Sequence, residues 1–286
     1  MVPLPISVCM VSGAEAHRIG PALASVAGWT RELIVVLNAE TQDGTERLVR
    51  ERGGQVFREP WKGFIGQKNS AAAKATQPWV LNLDADEVVS GPLQAQMAAL
   101  FAGSGRGPRH AAYEFPRCTF YCGRWIRHGD WYPDRVLRLW QRGRAHWTGQ
   151  EPHARLEVQG SVGRLGADLL HYSNETIARH LAKIVPYQEG FVAARLARAG
   201  TPGLLTLAGR PAWKFLRGYV LRAGFLDGWQ GLFIAAVNSF STLTRYAMVR
   251  EARVAQATSQ AAVADPGDSE SPPARGADGQ GRRGTR

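Results

Sequence analysis

The first hundred residues alternate between two kinds of segment, and that alternation is what most limits how the chain can fold. Ile6 to Val11, Leu33 to Leu37, Gln55 to Phe57 and Val80 to Leu83 are short runs rich in β-branched and apolar residues. Between them, Ile19 to Ala27, Thr45 to Arg52 and Gln67 to Ala75 have helical composition. Strands that alternate with helices cannot pair as hairpins; they lie parallel, and the helices cover the sheet. The expected fold class is therefore α/β. Ligands of such sheets bind beyond the carboxyl ends of the strands, and here those ends are polar: "SGAE", "NAETQDGT" and "DADE". Three loops are expected to meet on one edge.

The last of these is the sharpest local signal. In "WVLNLDADE", Trp79 to Glu87, a buried strand runs straight into three acidic side chains. Carboxylates beside an apolar layer are costly unless cations, hydrogen bonds or water compensate them, so positive charge is expected nearby. In extended backbone Asp84 and Asp86 point the same way. Paired hard oxygen ligands suit Mg²⁺ or Mn²⁺, whose shell is completed by water and substrate phosphates. The plainer alternative is a turn capped by Asp84, with Asp86 and Glu87 in solvent.

Composition narrows the function classes. The chain has 286 residues and a net charge of +11. Between residues 100 and 150 there are nine arginines, no lysine and three acidic residues, a field that fits phosphate or carboxylate partners. Nucleic acid, anionic lipid and a phosphorylated substrate share that chemistry. The basic residues form no recognisable helix-turn-helix, RRM or zinc module, and acidic strand ends oppose a nucleic-acid surface. The three cysteines, Cys9, Cys118 and Cys122, have no metal-site spacing and read as reduced thiols of a cytosolic protein. The start lacks the charged n-region of a signal peptide, and no run of 18 apolar residues marks a membrane span.

Further along, Tyr113 to Val158 reads as irregular aromatic and arginine-rich strands beside the sheet. After Ser173 and Asn174, which can cap a helix, the chain turns helical, with Pro186 expected to kink or divide it. Two more helical stretches follow, Pro211 to Arg222 and Trp229 to Arg250. Their aromatics (Trp213, Phe215, Tyr219, Phe225, Trp229 and Phe233) stand among basic residues, which suits an anionic bilayer surface or the core of a helical subdomain. From about Val254 the composition is that of a disordered tail; its "GQGRRG" lacks the flanking strand and helix that a dinucleotide fingerprint needs. The organisation expected is an α/β part over 1–100, a further part of the same domain over 101–175, a helical extension over 176–253 and a tail over 254–286.

"ISVCMVSGAEA", "ELIVVLNAETQDGTERLVRERGGQVFREPWKGFIGQKNSAAAKA" and "WVLNLDADE" stand in the order and spacing of family 2 glycosyltransferases. "CGRWIRHGDWYPDRVLRLWQRGRAHW", "EPHARLEVQGSVGRLGADLLHYS" and "RAGFLDGWQGL" resemble the bacterial subgroup that builds the lipopolysaccharide core. The resemblance covers roughly residues 5 to 250. It implies the nucleotide-diphosphosugar transferase (GT-A, Rossmann-like) fold with a C-terminal helical extension, and an inverting transfer of a sugar from a nucleotide-diphosphate donor. UDP-glucose is the expected donor and an inner-core glycolipid at the cytoplasmic membrane face the expected acceptor. Another cell-surface polysaccharide or lipid-linked acceptor, or a non-catalytic relative, is the alternative.

Residue by residue, the resemblance puts Ser12, Glu15 and Asp43 beside the donor. Asn38 stands where the family has an Asp that reads the base, and Lys68 where it has a basic residue near the nucleotide. Asp84 and Asp86 match the metal and diphosphate motif. The subgroup has an acidic residue after the histidine of the loop that contains His153, but Ala154 stands there and cannot act as a base. Glu151 is the first alternative as catalytic base and Asp134 the second, while His153 could position the acceptor. Arg124, Arg127 and Arg138 are the expected partners of acceptor anions.

Overall fold

The computed structural model describes residues 2–102, 107–151, 153–173, 176–198 and 200–264. Strands β1 (Leu4–Ser12), β2 (Thr30–Asn38), β3 (Gln55–Glu59) and β4 (Trp79–Asn82) are connected by helices α1 (Ile19–Val26), α2 (Thr45–Glu51) and α3 (Gly63–Ala73). After β5 (Glu87–Val89) and α4 (Gly91–Phe101) come β6 (Ala112–Tyr121), β7 (Arg124–Ile126), β8 (Asp134–Gln141), β9 (Ala145–Gln150), β10 (His153–Val158), β11 (Val162–Arg164) and β12 (Leu169–His171). The main sheet runs β3-β2-β1-β4-β8-β6-β12-β5, with β7 and β11 on β6, while β9 and β10 form a separate hairpin. The first four strands are parallel, and β8 enters antiparallel between β4 and β6. The expectation of a parallel, helix-covered sheet holds for the first hundred residues.

Alternation along the strands separates two cores. Ile6, Val8 and Met10 of β1 and Leu33 and Val35 of β2 pack on one face with Ile19, Leu23 and Val26 of α1 and Leu93 and Met97 of α4. Cys9, Ile34, Val36 and Val80 face the other way, against Ala71 of α3 and Trp147 of β9. With both faces covered, the strands read as continuous apolar runs rather than alternating ones. Each fully buried Val, Leu or Ile contributes about 1.5–3 kcal/mol.

The sheet order positions the site. From β1 the chain moves through β2 to β3 on one side, whereas β4 lies on the other, so the crevice outside β1 and β4 is the place where the strand order reverses. The loops there are tied together as expected. The Ala16 amide donates to Asp43 Oδ2 at 2.9 Å and the Glu15 amide to Thr45 Oγ1 at 3.1 Å. Arg18 Nη1 reaches Asp86 Oδ2 at 3.2 Å.

The C-terminal part is helical: α5 (Ile177–Ala182), α6 (Glu189–Leu196), α7 (Leu204–Leu216), which runs on through a π-helical turn to Leu221, and α8 (Gly228–Ala264). Pro186 opens a 3₁₀ turn between α5 and α6, as expected of a dividing proline. Three sequence expectations are revised. Thr176, not Ser173, caps α5 by accepting from the Arg179 amide at 3.2 Å, and Asn174 lies outside the described residues. Pro211 sits inside α7 rather than at its start. The last helix continues ten residues past Val254, to Ala264, and the remainder of the expected tail lies outside the described residues.

These helices are locked to one another by close backbone contact and joined to the sheet domain by buried acids. A Cβ on Gly231 would lie 1.9 Å from the Gly224 carbonyl oxygen, and one on Gly224 would lie 2.6 Å from that of Gly218. Asp227, 2% exposed, accepts from the Arg127 and His128 amides at 3.0 and 2.8 Å and pairs with His128 Nδ1 at 3.0 Å. Asp130 pairs with Lys214 at 2.9 Å and Arg217 at 2.7 Å. Gly231→Ala is expected to destabilise the protein by about 1–3 kcal/mol through overpacking, read as a lowered midpoint in thermal or urea unfolding.

Glu59 and Asp130 are among the carboxyls that lie below their ordinary range in the folded chain. Glu59 is held at about 2 by hydrogen bonds from Lys62, Lys74 and Ser70. Burial pushes Asp130 up, but Lys214 and Arg217 outweigh it and hold it low. A lowered carboxyl contributes stability that is complete above its unfolded value, about 4. That contribution is lost as pH falls from there toward 2. Urea midpoints should therefore drop between pH 5 and pH 3, around that unfolded value of about 4, and Glu59→Gln with Asp130→Asn should flatten the profile.

Candidate active site

Arg138 fixes the geometry beyond β4. It lies on β8, beside the end of β4, and is 6% exposed. Its Nη1 donates to Asn82 Oδ1 at 3.0 Å, and its Nη2 donates to Asp84 Oδ2 at 2.7 Å and Glu87 Oε1 at 2.9 Å. Glu87 is fully buried, and its Oε2 accepts from the Asp84 amide at 3.0 Å, which sets the turn after β4. Lys68 of α3 reaches Asp84 Oδ1 at 2.8 Å and lies over the Trp147 ring at 4.7 Å. The positive charge that the acidic strand end demanded is thus Arg138 and Lys68. Burial pushes the Asp84 carboxyl up, but these two cations outweigh it and hold it below the usual carboxylate range. Glu87 is buried in this network rather than solvated.

Asp86 faces elsewhere. Its Oδ2 takes Arg18, and His171 Nε2, at the end of β12, lies 3.7 Å from the same oxygen. Burial acts upward on Asp86, while the hydrogen bond and charge of His171 and the charge of Arg18 hold it low. Arg18 also forks onto Glu15, with Nη2 to Oε1 at 2.7 Å. Both oxygens of Asp84, the first of the expected Asp84–Asp86 ligand pair, are engaged by Lys68 and Arg138, while Asp86 faces Arg18 and His171. Among the described residues no group of three or more His, Cys, Asp or Glu could hold a metal ion. Two protein ligands still fit Mg²⁺ or Mn²⁺, which keep waters and take the remainder of their shell from substrate phosphates.

A cleft of about 710 Å³ opens against this cluster, lined by Lys68, Arg117, Arg135, Arg138, Trp147 and Arg155 among others, with Ala154 in its wall. A second hollow, of about 340 Å³, shares Arg117 and Arg135 and adds Thr119, Asp134 and His171. Arg117 joins them, pairing with Asp134 Oδ2 at 2.6 Å and with Glu87 at 3.4 Å. Asp134 is half-exposed and looks into the hollow that also carries His171.

The other expected residues fall less simply. Asp43 accepts from Thr45 and the Ala16 amide, so it shapes the donor-side loop. Asn38 sits in a local turn at the end of β2, beside it, and Ser12 is buried at the end of β1. Glu151, in the hairpin turn, accepts from the Ile65 amide at 2.8 Å, capping the first turn of α3. His153 begins β10, opposite Gln150. Arg124 donates to the Leu226 carbonyl at 2.9 Å, at the join to the C-terminal helices, whereas Arg127 donates to Asp168, in the loop before β12, at 3.0 Å. Sequence reasoning did not single out Arg18, Arg117, Arg135, Arg155 or His171. The only signal for His171 was a titratable residue ending the apolar run "LLH".

The family model for glycosyl transferase family 2 matches residues 7–151, just over half of the chain. The chain belongs to that family, and its mixed, mostly parallel sheet is the GT-A arrangement expected from the sequence. More particularly, it is 26% identical over 275 residues to the lipopolysaccharide core biosynthesis glycosyltransferase LpsC of Rhizobium meliloti, covering 91% of this chain and all of that one. It is 27% identical over 261 residues to an uncharacterized glycosyltransferase of Rickettsia prowazekii, covering 86% and 87% of the two. Among solved structures it is similar to S. aureus TarS 1-349, with 13% identity, a TM-score of 0.45 and coverage of 88% and 92%.

Replacing Arg138 by Met leaves Glu87 and Asp84 without their shared cation. Such a break is expected to cost about 3–5 kcal/mol, measured by urea unfolding, and Arg138→Met with Glu87→Gln should recover part of the loss.

Proposed function

We propose that this glycosyltransferase moves a sugar, glucose from UDP-glucose being the first choice, onto an anionic lipopolysaccharide inner-core acceptor. One observation carries the acceptor half of the reading: the lining of the larger cleft includes five cationic side chains, Lys68, Arg117, Arg135, Arg138 and Arg155, and no carboxylate. Arginine forks suit phosphate and carboxylate groups, which an inner-core glycolipid carries. The name of the Rhizobium meliloti relative agrees with that choice.

The donor half follows from the crevice between β1 and β4. Its diphosphate fits beside Asp86, His171 and Arg18, with the base toward Asn38. Asp86 and His171 would hold Mg²⁺ or Mn²⁺, which supplies charge neutralisation at the leaving diphosphate. Lys68 and Arg138 keep Asp84 ionised and fixed, so the loop does not have to reorganise around the donor. Asp134 is the proposed base. It lines the hollow shared with His171, whereas Glu151 is committed to α3. In the inverting step Asp134 takes the proton of the acceptor hydroxyl as its oxygen bonds to the anomeric carbon. The bond from that carbon to the diphosphate breaks on the opposite face, and the diphosphate leaves with the electron pair.

The test is a screen of nucleotide sugars, with Mn²⁺, for thermal stabilisation, followed by transfer assays on purified core acceptors. Asp134→Asn should keep donor binding and slow transfer by at least about 10²-fold, whereas Glu151→Gln should stay within a few fold. A slow Glu151→Gln enzyme with a normal Asp134→Asn would return the base to the hairpin turn. Transfer only to acceptors without anionic groups would reject the acceptor assignment.

A further inference from the structure

Helices α7 and α8 meet at an elbow that exposes what a folded chain ordinarily hides. Among the described residues no single helix is long and apolar enough to cross a membrane, but Leu204–Leu221 and Gly224–Ser259, bent by 71°, pass that test of length and composition together. Trp213 and Leu216 on α7, Leu221 at its end, Phe225 and Leu226 in the turn, and Trp229 at the start of α8 are each between 44% and 62% exposed. Five of them, Leu216, Leu221, Phe225, Leu226 and Trp229, fall within fourteen residues of chain around the bend, which concentrates exposed apolar side chains at the tip of the elbow, and such a concentration marks an interaction site.

Charge selects the partner. Between residues 204 and 250 there are six basic residues and one acid, Asp227. Asp227 is 2% exposed and turned inward onto His128. Lys214, Arg217 and Arg222 gather around Asp130, which neutralises one of the three and leaves a net positive collar beside the tip. Tryptophan and arginine around an apolar projection match the interface of a bilayer with negative headgroups. The same Asp130 lines the smaller hollow of the candidate active site, so the elbow and that hollow share a residue.

We infer that the α7–α8 elbow is a membrane foot: its tip enters one leaflet of an anionic bilayer while the collar binds headgroup phosphates. The site proposed above then opens toward a lipid-anchored acceptor, but the foot itself needs neither donor nor acceptor. Its test is therefore independent of the transfer reaction.

The full chain is mixed with vesicles of phosphatidylcholine alone and of phosphatidylcholine with phosphatidylglycerol, neither containing acceptor. It should sediment with the second at low salt, and raised salt should weaken that binding. Lipids brominated along their chains should quench part of the tryptophan fluorescence, and Trp213→Phe with Trp229→Phe should remove that part. Leu221→Asp with Phe225→Asp, both exposed and so compatible with folding, should weaken vesicle binding at least tenfold, the equivalent of about 1.4 kcal/mol. Circular dichroism and the unfolding midpoint check that this variant folds. A native chain that stays in the supernatant, or binds without quenching, overturns the proposal. So does a dimer in analytical ultracentrifugation that the same double substitution dissociates, because the tip is then an interface between two copies of this chain.

Discussion

A single guanidinium holds the catalytic edge in place. Arg138 is buried where β8 crosses beside β4, and it touches Asn82, Asp84 and Glu87 at once. An ion network in a low-dielectric interior is seldom a net gain over apolar packing. Its value here is geometric. Three side chains within six residues, from Asn82 at the end of β4 to Glu87 at the start of β5, are aimed by one rigid fork, so Asp84 is occupied and Asp86 is left facing His171. The donor crevice and the cationic cleft are then two sides of the same cluster rather than separate features.

That cluster also gives the antiparallel strand its purpose. A purely parallel sheet would leave the far side of β4 without a cation. Inserting β8 brings Arg138 into the layer, Arg135 to the cleft and Asp134 to the smaller hollow. The β9–β10 hairpin then closes the cleft with Trp147 and Ala154. One strand therefore supports the acidic edge after β4 and lines both hollows beside it.

The first half of the fold was legible because its rules are local. Periodicity set β1 to β4 and α1 to α3 to within a few residues, with α3 starting four residues earlier than its composition suggested. The acidic strand end also announced a hidden cation. What the sequence did not disclose was pairing at long range. Nothing around Arg138 says that it is buried on Glu87, fifty-one residues away, and nothing around Glu151 says that its carboxylate belongs to α3. Composition alone placed Arg124 and Arg127 with the acceptor, because the carboxylate and carbonyl that hold them, on Asp168 and Leu226, lie across the fold. The end of α8 was misplaced for a different reason: alanine-rich sequence satisfies the backbone in a helix without needing a core.

The bond from Glu151 to the Ile65 amide has a mechanical side. The hairpin stands outside the main sheet, and its tip is latched to α3 by an exposed carboxylate. One wall of the cationic cleft is thus hung like a shutter, with its hinge in the strands and its catch on a neighbouring helix. The width of the opening can change through that catch without disturbing the layer that carries the charged residues.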